Sequence, residues 1–535
     1  MSSRSSSLTH VPTYPARPPS KPHPMVSSSR SSLTRVDHDE AGCTSKDHIL
    51  PKIADSMVPF KTVPTDPAKV QPSVASEWLV DPENPRNWSN FRKGYITAIV
   101  SLYTFVSPLS SSIMAPGLAE IQQQYNIMNQ AILAMTLSIF LLSFGIGPLF
   151  LAPLSEMYGR KWILHIGNLL SIFFNLGCAL APSTATLLLF RFLMGLSGSA
   201  PVACGGAVIS DLFNEEERAS AMALYTLGPL IGPVLGPICG GFIAQTIGVH
   251  YVYFVLAGLT ACASLVGIPL LRETYGPLVQ LRQASRCVDS EKKLQPVEDR
   301  HDPTKKRNLG YVWVNLSRPW VLLFRSFICF TLSLYMAFLY GIYYLFFTTL
   351  NGLFTKTYGF SLGITGLMYG GLGVGFLLAT FSGAEFSNIL YKHLVKKNGG
   401  VGEPEMRIPP LFLGSIFVPI GLFWYGWSAE AHLHWIMPVI GSGLFGFGMM
   451  LSFLPIQLYL VQAFKYAASA LSGAILFRSM LGFAFPLFGS QMFSAMGYGW
   501  GNTLLGGFAI CLGIPFPIYI YYRGAALRAK SDLNH

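Results

Sequence analysis

Two arginines, Arg191 and Arg478, stand inside apolar stretches of about 20 residues, the length that crosses a ~30 Å hydrocarbon core. A cation at such depth costs roughly 2.5–3.5 kcal/mol on insertion scales, so both side chains are expected to turn away from lipid and into the protein. There each could meet an anionic or polar solute, or be held by backbone carbonyls as a structural group. A second cluster sits in "APLSEMYGRKWIL", residues 152–164, where Glu156, Gly159, Arg160 and Lys161 share a short turn. Glycine permits a sharp turn. The charges are expected to pair with one another, with Asp211, or with the positive N-terminus of the eleventh stretch. A solvated turn is the alternative. Ser101, Thr104, Ser107 and Ser111 recur at spacings of three, three and four, which is one helical face. Tyr340, Tyr343, Tyr344 and Phe347 share another, and Gln457 is a further polar candidate. Polar faces turn toward a cavity more readily than toward lipid, and aromatic walls suit apolar or cationic solutes. Packing between helices accounts for either face equally well. No Asp or Glu lies centrally in any apolar stretch: Glu120, Glu156, Asp211, Glu273 and Glu385 fall at ends or in connections. No nucleophile motif, C-x-x-C spacing or Cys/His cluster occurs, so neither enzyme chemistry, a metal nor a cofactor is expected.

The elements that must position these residues follow from composition. Of 535 residues, 51% are hydrophobic and 12% charged. A soluble domain carries about 25% charged residues, so the chain reads as an integral membrane protein. Twelve apolar stretches recur, at 95–115, 131–151, 162–181, 185–207, 219–243, 251–271, 326–349, 361–383, 409–428, 434–458, 467–492 and 502–522. An all-α fold of twelve membrane helices is expected, six in 94–271 and six in 326–522, joined by a polar loop at 272–325. Residues 1–93 are rich in Ser and Pro without an apolar run and read as a disordered tail; 523–535 form a second tail. Of the 37 Lys and Arg, the connections on one side hold Lys356 alone, and Arg191 and Arg478 lie inside stretches. All others fall on the opposite side, which places both tails and the 272–325 loop in the cytoplasm. The net charge of +11 is therefore topology and attraction to a lipid bilayer, and not a nucleic-acid surface.

The stretch "GPLIGPVLGPICGG" sets Gly228, Gly232, Gly236 and Gly240 four residues apart, followed by Gly241. At 3.6 residues per turn the four glycines form one slowly drifting stripe that lets another helix approach closely. Pro229, Pro233 and Pro237 repeat beside it. The expectation is a shaped contact between the two halves that touches little or no solute.

These motifs together resemble the major facilitator superfamily. The turn at 152–164 is similar to its signature G-x-L-a-D-r-x-G-r-k, with Glu156 for the Asp, Ala152 for the first Gly, and Gly159, Arg160 and Lys161 in place. "RFLMGLSGSAP" resembles the family's conserved-arginine motif through Arg191, Gly195 and Gly198. Gly228, Gly232, Gly236, Pro237, Gly240 and Gly241 match the motif of its export-type branch. "DPENPRNW", "RETYGPL", "LYMAFLYGIYYLFF", "YAASALSG" and "LFRS" resemble the fungal twelve-span drug:proton antiporters. Fungal members often carry an Asp late in the tenth span, where this chain has Gln462. The resemblance implies two six-helix bundles around a central cavity and alternating access by rocking. It implies export of a small organic molecule in exchange for protons, with Arg191 aiding proton exchange or binding. The solute would be a xenobiotic, a polyamine, or a cell-made organic acid or secondary metabolite; an importer or facilitator is the alternative. Two intramembrane arginines and no intramembrane acid favour an anion over a polycation. Glu156 and Asp211 would carry protons or form a structural latch. A monomer in the plasma membrane, or next the vacuolar membrane, completes the expectation.

Overall fold

The computed structural model describes residues 78, 80–290, 317, 319–464 and 467–529. The expectations for residues 1–77, 291–316 and 530–535 lie outside the described residues. Helices α1 (Asn90–Ser112), α2 (Gln130–Tyr158), α3 (Arg160–Ala179), α4 (Thr184–Gly198, continued by Ala200–Leu212), α5 (Glu215–Ile247) and α6 (Val249–Leu270) form a first series. α7 (Phe327–Lys356), α8 (Leu362–Met368, continued by Gly370–Lys397), α9 (Pro409–Glu430), α10 (Ile436–Ala463) and Ala467–Gly513 form a second. Gly497, with φ 76°, breaks the last of these into α11 and α12. Among the described residues, ten helical segments are long and apolar enough to cross a membrane. One of them, Ser469–Ala529, holds both α11 and α12, and α5 contributes the shorter apolar stretch Ile231–Ile247. Twelve membrane helices result.

Packing is mostly within each series. α1 lies on α5, α2 on α4 and α3 on α6; α7 lies on α11, α8 on α10 and α9 on α10 and α12. The two series meet through α2 with α11 and through α5 with α8. These are the same pair of positions with the halves exchanged. Hydrogen bonds join the series at the end remote from the basic turns. Ser111 and Tyr344 hydroxyls lie 2.8 Å apart, Asn351 Nδ2 donates to Pro116 O at 2.9 Å, and Gly363 N donates to Gln245 Oε1 at 2.8 Å.

The glycine stripe does not face the other half. A methyl group at Gly228 would sit 2.9 Å from Ser101 O, at Gly232 2.8 Å from Phe105 O, and at Gly236 3.0 Å from Ile113 N. At Gly240 it would run into Ile113 O. The partners Ser101, Phe105 and Ile113 belong to α1 and its C-terminal cap, in the same series. α8 meets the adjacent face instead: Gly366 approaches Pro237 O, Gly373 approaches Val234, and Gly241 abuts Leu362 O. The expected contact between halves is therefore corrected to Pro237 and Gly241. Spacing defines a stripe that some backbone can approach; it carries no address for which one. α5 runs continuously through its three prolines, as a helix buried in protein can.

Three segments carry helix beyond the expected membrane stretches. The 272–325 loop opens with the helix Gly276–Ser290, and α1 starts at Asn90, inside the expected tail. Before α1, Asn84 accepts from Arg86 N and donates to Trp78 O, and Ser89 caps the helix by accepting from Arg92 N. After α12, Pro515–Ala529 continues as helix where a tail was expected from residue 523.

Candidate functional site

A cavity of about 250 Å³ lies between the two series. α1 supplies Ser111, α5 Thr226, Pro229 and Pro233, α7 Tyr340, Tyr343 and Tyr344, α10 Gln457, and α11 Arg478. Phe140, Phe144, Phe376, Phe453 and methionines complete the wall. Arg478 is the only charged residue in that lining. Its guanidinium stands 4.7 Å from the Tyr340 ring centroid, and its Nε is buried with no acceptor among the described residues. A buried donor left without a protein partner makes Arg478 a candidate contact for a bound group. Tyr340 and Tyr344 rings lie 5.0 Å apart, and Tyr344 is fixed by its bond to Ser111. Phe347, on the expected tyrosine face, turns from the cavity and stacks on Tyr369 at 5.3 Å. From the α5 stretch, whose expected role is packing, Pro229 and Pro233 form part of the wall. With the glycines committed to α1, the neighbouring stripe is the one left facing the centre.

Arg191 is elsewhere. It is 0% exposed, and its three nitrogens donate to Thr136 O (3.0 Å), Ser110 O (3.0 Å) and Leu137 O (3.3 Å). Phe140 and Tyr253 rings flank it at 5.4 and 5.9 Å. The guanidinium thus ties α4 to α1 and α2, and it is absent from the cavity lining. Ser107 is also absent from it: its hydroxyl donates to Gly198 O of α4. Of the expected solute-pathway residues, Ser111, Tyr340, Tyr344, Gln457 and Arg478 share the cavity; Arg191 and Ser107 do not.

The α2–α3 turn does gather its charges. Gly159 adopts φ 103°, and Arg160 reaches Asp211 at 3.5 Å, Glu156 at 3.8 Å and Ser155 Oγ at 2.5 Å. Glu156 is mostly outside this knot. The buried carboxylate is Glu273, just beyond α6. Its oxygens accept from the backbone amides of Arg160 (2.9 Å), Lys161 (3.4 Å), Thr274 (3.1 Å) and Tyr275 (3.0 Å). A carboxylate at a helix N-terminus satisfies orphan amides and the dipole together. Sequence reasoning placed Glu273 only as an end residue; "RETYGPL" was its one signal. The start of α11, the other partner expected for Glu156, directly follows residues 465–466, which lie outside the described residues. The second series has its own knot: Glu405 accepts two bonds from Arg528, at 2.9 and 2.8 Å, and one from Tyr459 at 3.3 Å. Among the described residues no cluster of His, Cys, Asp and Glu could hold a metal ion.

Known proteins agree with this architecture. A family model described as Major Facilitator Superfamily matches residues 100–487. The MFS transporter cpaT of Aspergillus oryzae is 42% identical over 453 residues, covering 84% of this chain and 90% of that protein. The efflux pump vrtL of Penicillium aethiopicum is 40% identical over 454 residues, covering 84% and 89%. Among solved structures, the proton:xylose symporter XylE superposes with a TM-score of 0.58 at 15% identity, covering 81% of this chain and 96% of that one. A bacterial homologue of the lysosomal transporter Spinster gives 0.54 at 13% identity, covering 83% and 99%.

Proposed function

The chain belongs to the major facilitator superfamily, and we propose that it exports a small organic anion with a largely apolar body, by alternating access driven by inward proton flow. The observation that carries this reading is Arg478, the one charged residue in the lining of a largely apolar and aromatic cavity and, among the described residues, one with no carboxylate partner. An acidic group would pair with its guanidinium, Gln457 would offer a hydrogen bond, and the tyrosines and phenylalanines would hold the body. A polyamine would meet repulsion and no carboxylate in that lining. A cell-made organic acid or acidic secondary metabolite fits best. Export is supported by relatives named as efflux pumps. The basic end is read as cytoplasmic, and a monomer in the plasma membrane as the working form. The hydrogen bonds that join the two series at the other end then close the outer side, and rocking of one series against the other breaks them.

Purified protein in sealed vesicles tests this. A panel of aromatic carboxylates and spermidine is offered with and without a proton gradient. Gradient-dependent flux of a carboxylate, lost in Arg478→Ala and partly kept in Arg478→Lys, is the expected result. Spermidine flux without any anion flux would overturn the reading. Equal flux in Arg478→Ala would remove Arg478 from the binding site.

A further inference from the structure

The charged turn forms one wall of a second cavity, of about 300 Å³, at the basic end. Its lining gathers Arg92 of α1, Lys161 of α3, Arg272 beyond α6 and Arg282 of the Gly276–Ser290 helix, with Glu83 and Glu273 as the opposing charges. Glu273 already accepts from four backbone amides, and Glu83 is exposed. Arg92 stacks on Trp88 at 3.8 Å. Among the described residues the side chains of Arg92, Lys161 and Arg272 have no carboxylate partner. Phe91, Tyr158 and Trp162, near the same end, are 83%, 49% and 52% exposed. Amphipathic rings and exposed aromatics of this kind settle at the headgroup level of a bilayer.

We propose that this cavity is a binding site for the phosphate-bearing headgroup of an anionic phospholipid. Depth and charge argue for it together: lipid phosphates are concentrated at this level, and a recess lined by several cations binds them better than an open surface. Arg92, Lys161 and Arg272 come from three separate elements, so an occupied site ties α1, α3 and the segment after α6 around the Glu273 cap. The site rests on membrane embedding alone and does not depend on the solute assigned to the central cavity.

The test measures binding of fluorescent short-chain phosphatidylserine to the full-length chain in neutral detergent. Removing two cations in Arg92→Gln/Arg272→Gln weakens binding by about 25-fold, at about fivefold per cation. The Arg92→Lys/Arg272→Lys pair retains most of the affinity. Lys396→Gln/Lys397→Gln, a matched exposed pair at the same end, leaves it unchanged. Equal losses in both glutamine pairs would mean surface attraction only and overturn the site. Inorganic phosphate competing as strongly as the lipid would assign a free anion instead. A phosphoserine peptide binding in place of the lipid would assign a phosphorylated segment. Should a variant prove unstable in detergent, native mass spectrometry from nanodiscs with and without phosphatidylserine counts retained lipid and separates the same outcomes.

Discussion

Gly241→Ala is expected to open the end at which α5 meets α8. A methyl group there would sit 2.6 Å from Leu362 O and 3.3 and 3.4 Å from the Cα atoms of Gly366 and Gly363. Favourable non-bonded separations are about 3.5–4.0 Å, so α8 must retreat by roughly 1 Å. Overpacking of this kind costs about 1–3 kcal/mol. The cost falls on the state in which the ends are joined and vanishes when they part. The equilibrium between the two therefore moves by about 5- to 140-fold toward the parted state. Ser111→Cys reports it, because Ser111 lines the cavity just inside the joined ends. In a background with the native cysteines replaced, a membrane-impermeant maleimide added on that side should label the Gly241→Ala protein faster by that factor. Gly232→Ala is the control. Its methyl group would sit 2.8 Å from Phe105 O and 3.0 Å from Leu109 N, on α1 within the same series. Both states then carry the cost, so stability falls and labelling stays. Equal acceleration in the two variants would refute the assignment of the stripe to α1 and of Gly241 to the crossing. So would unchanged labelling in a folded Gly241→Ala protein.

Arg191→Ala should lower the thermal transition in detergent as well as abolish transport, since three charge-assisted bonds are lost at about 1.5–3 kcal/mol each, less the guanidinium's own desolvation. Arg191→Lys, which cannot reach carbonyls in three directions, should fall between. Lost transport with an unshifted transition would instead give Arg191 a direct part in proton or solute exchange. Glu273→Gln should speed hydrogen exchange at the amides of Arg160 and Lys161 by about 2- to 30-fold, the worth of a helix cap. Unchanged exchange would mean that the Arg160 ion pairs hold the turn without it.

The twelve membrane helices and the family were legible in the sequence. Apolar length is set by bilayer thickness, and the Lys356-only side by the cost of moving cations across it, so both leave marks that need no partner to be read. The turn at Glu156 to Lys161 was legible for a similar reason: its residues are close along the chain. Arg478 and the tyrosine face could be named as candidates because a cation or a run of rings is unusual in an apolar stretch. What the chain alone left open was the partner of each feature. Arg191 and Arg478 look alike in sequence, yet one is closed off by three carbonyls and the other faces a cavity. Carbonyls occur at every residue and leave no pattern to read. The same holds for the glycine stripe, which meets the backbone of α1, and for Glu273, which is bound by amides 112 and 113 residues away. Periodicity fixed which face of a helix was special. The tertiary structure decided what stands against it, because close approach in lipid depends on the shape of two backbones at once.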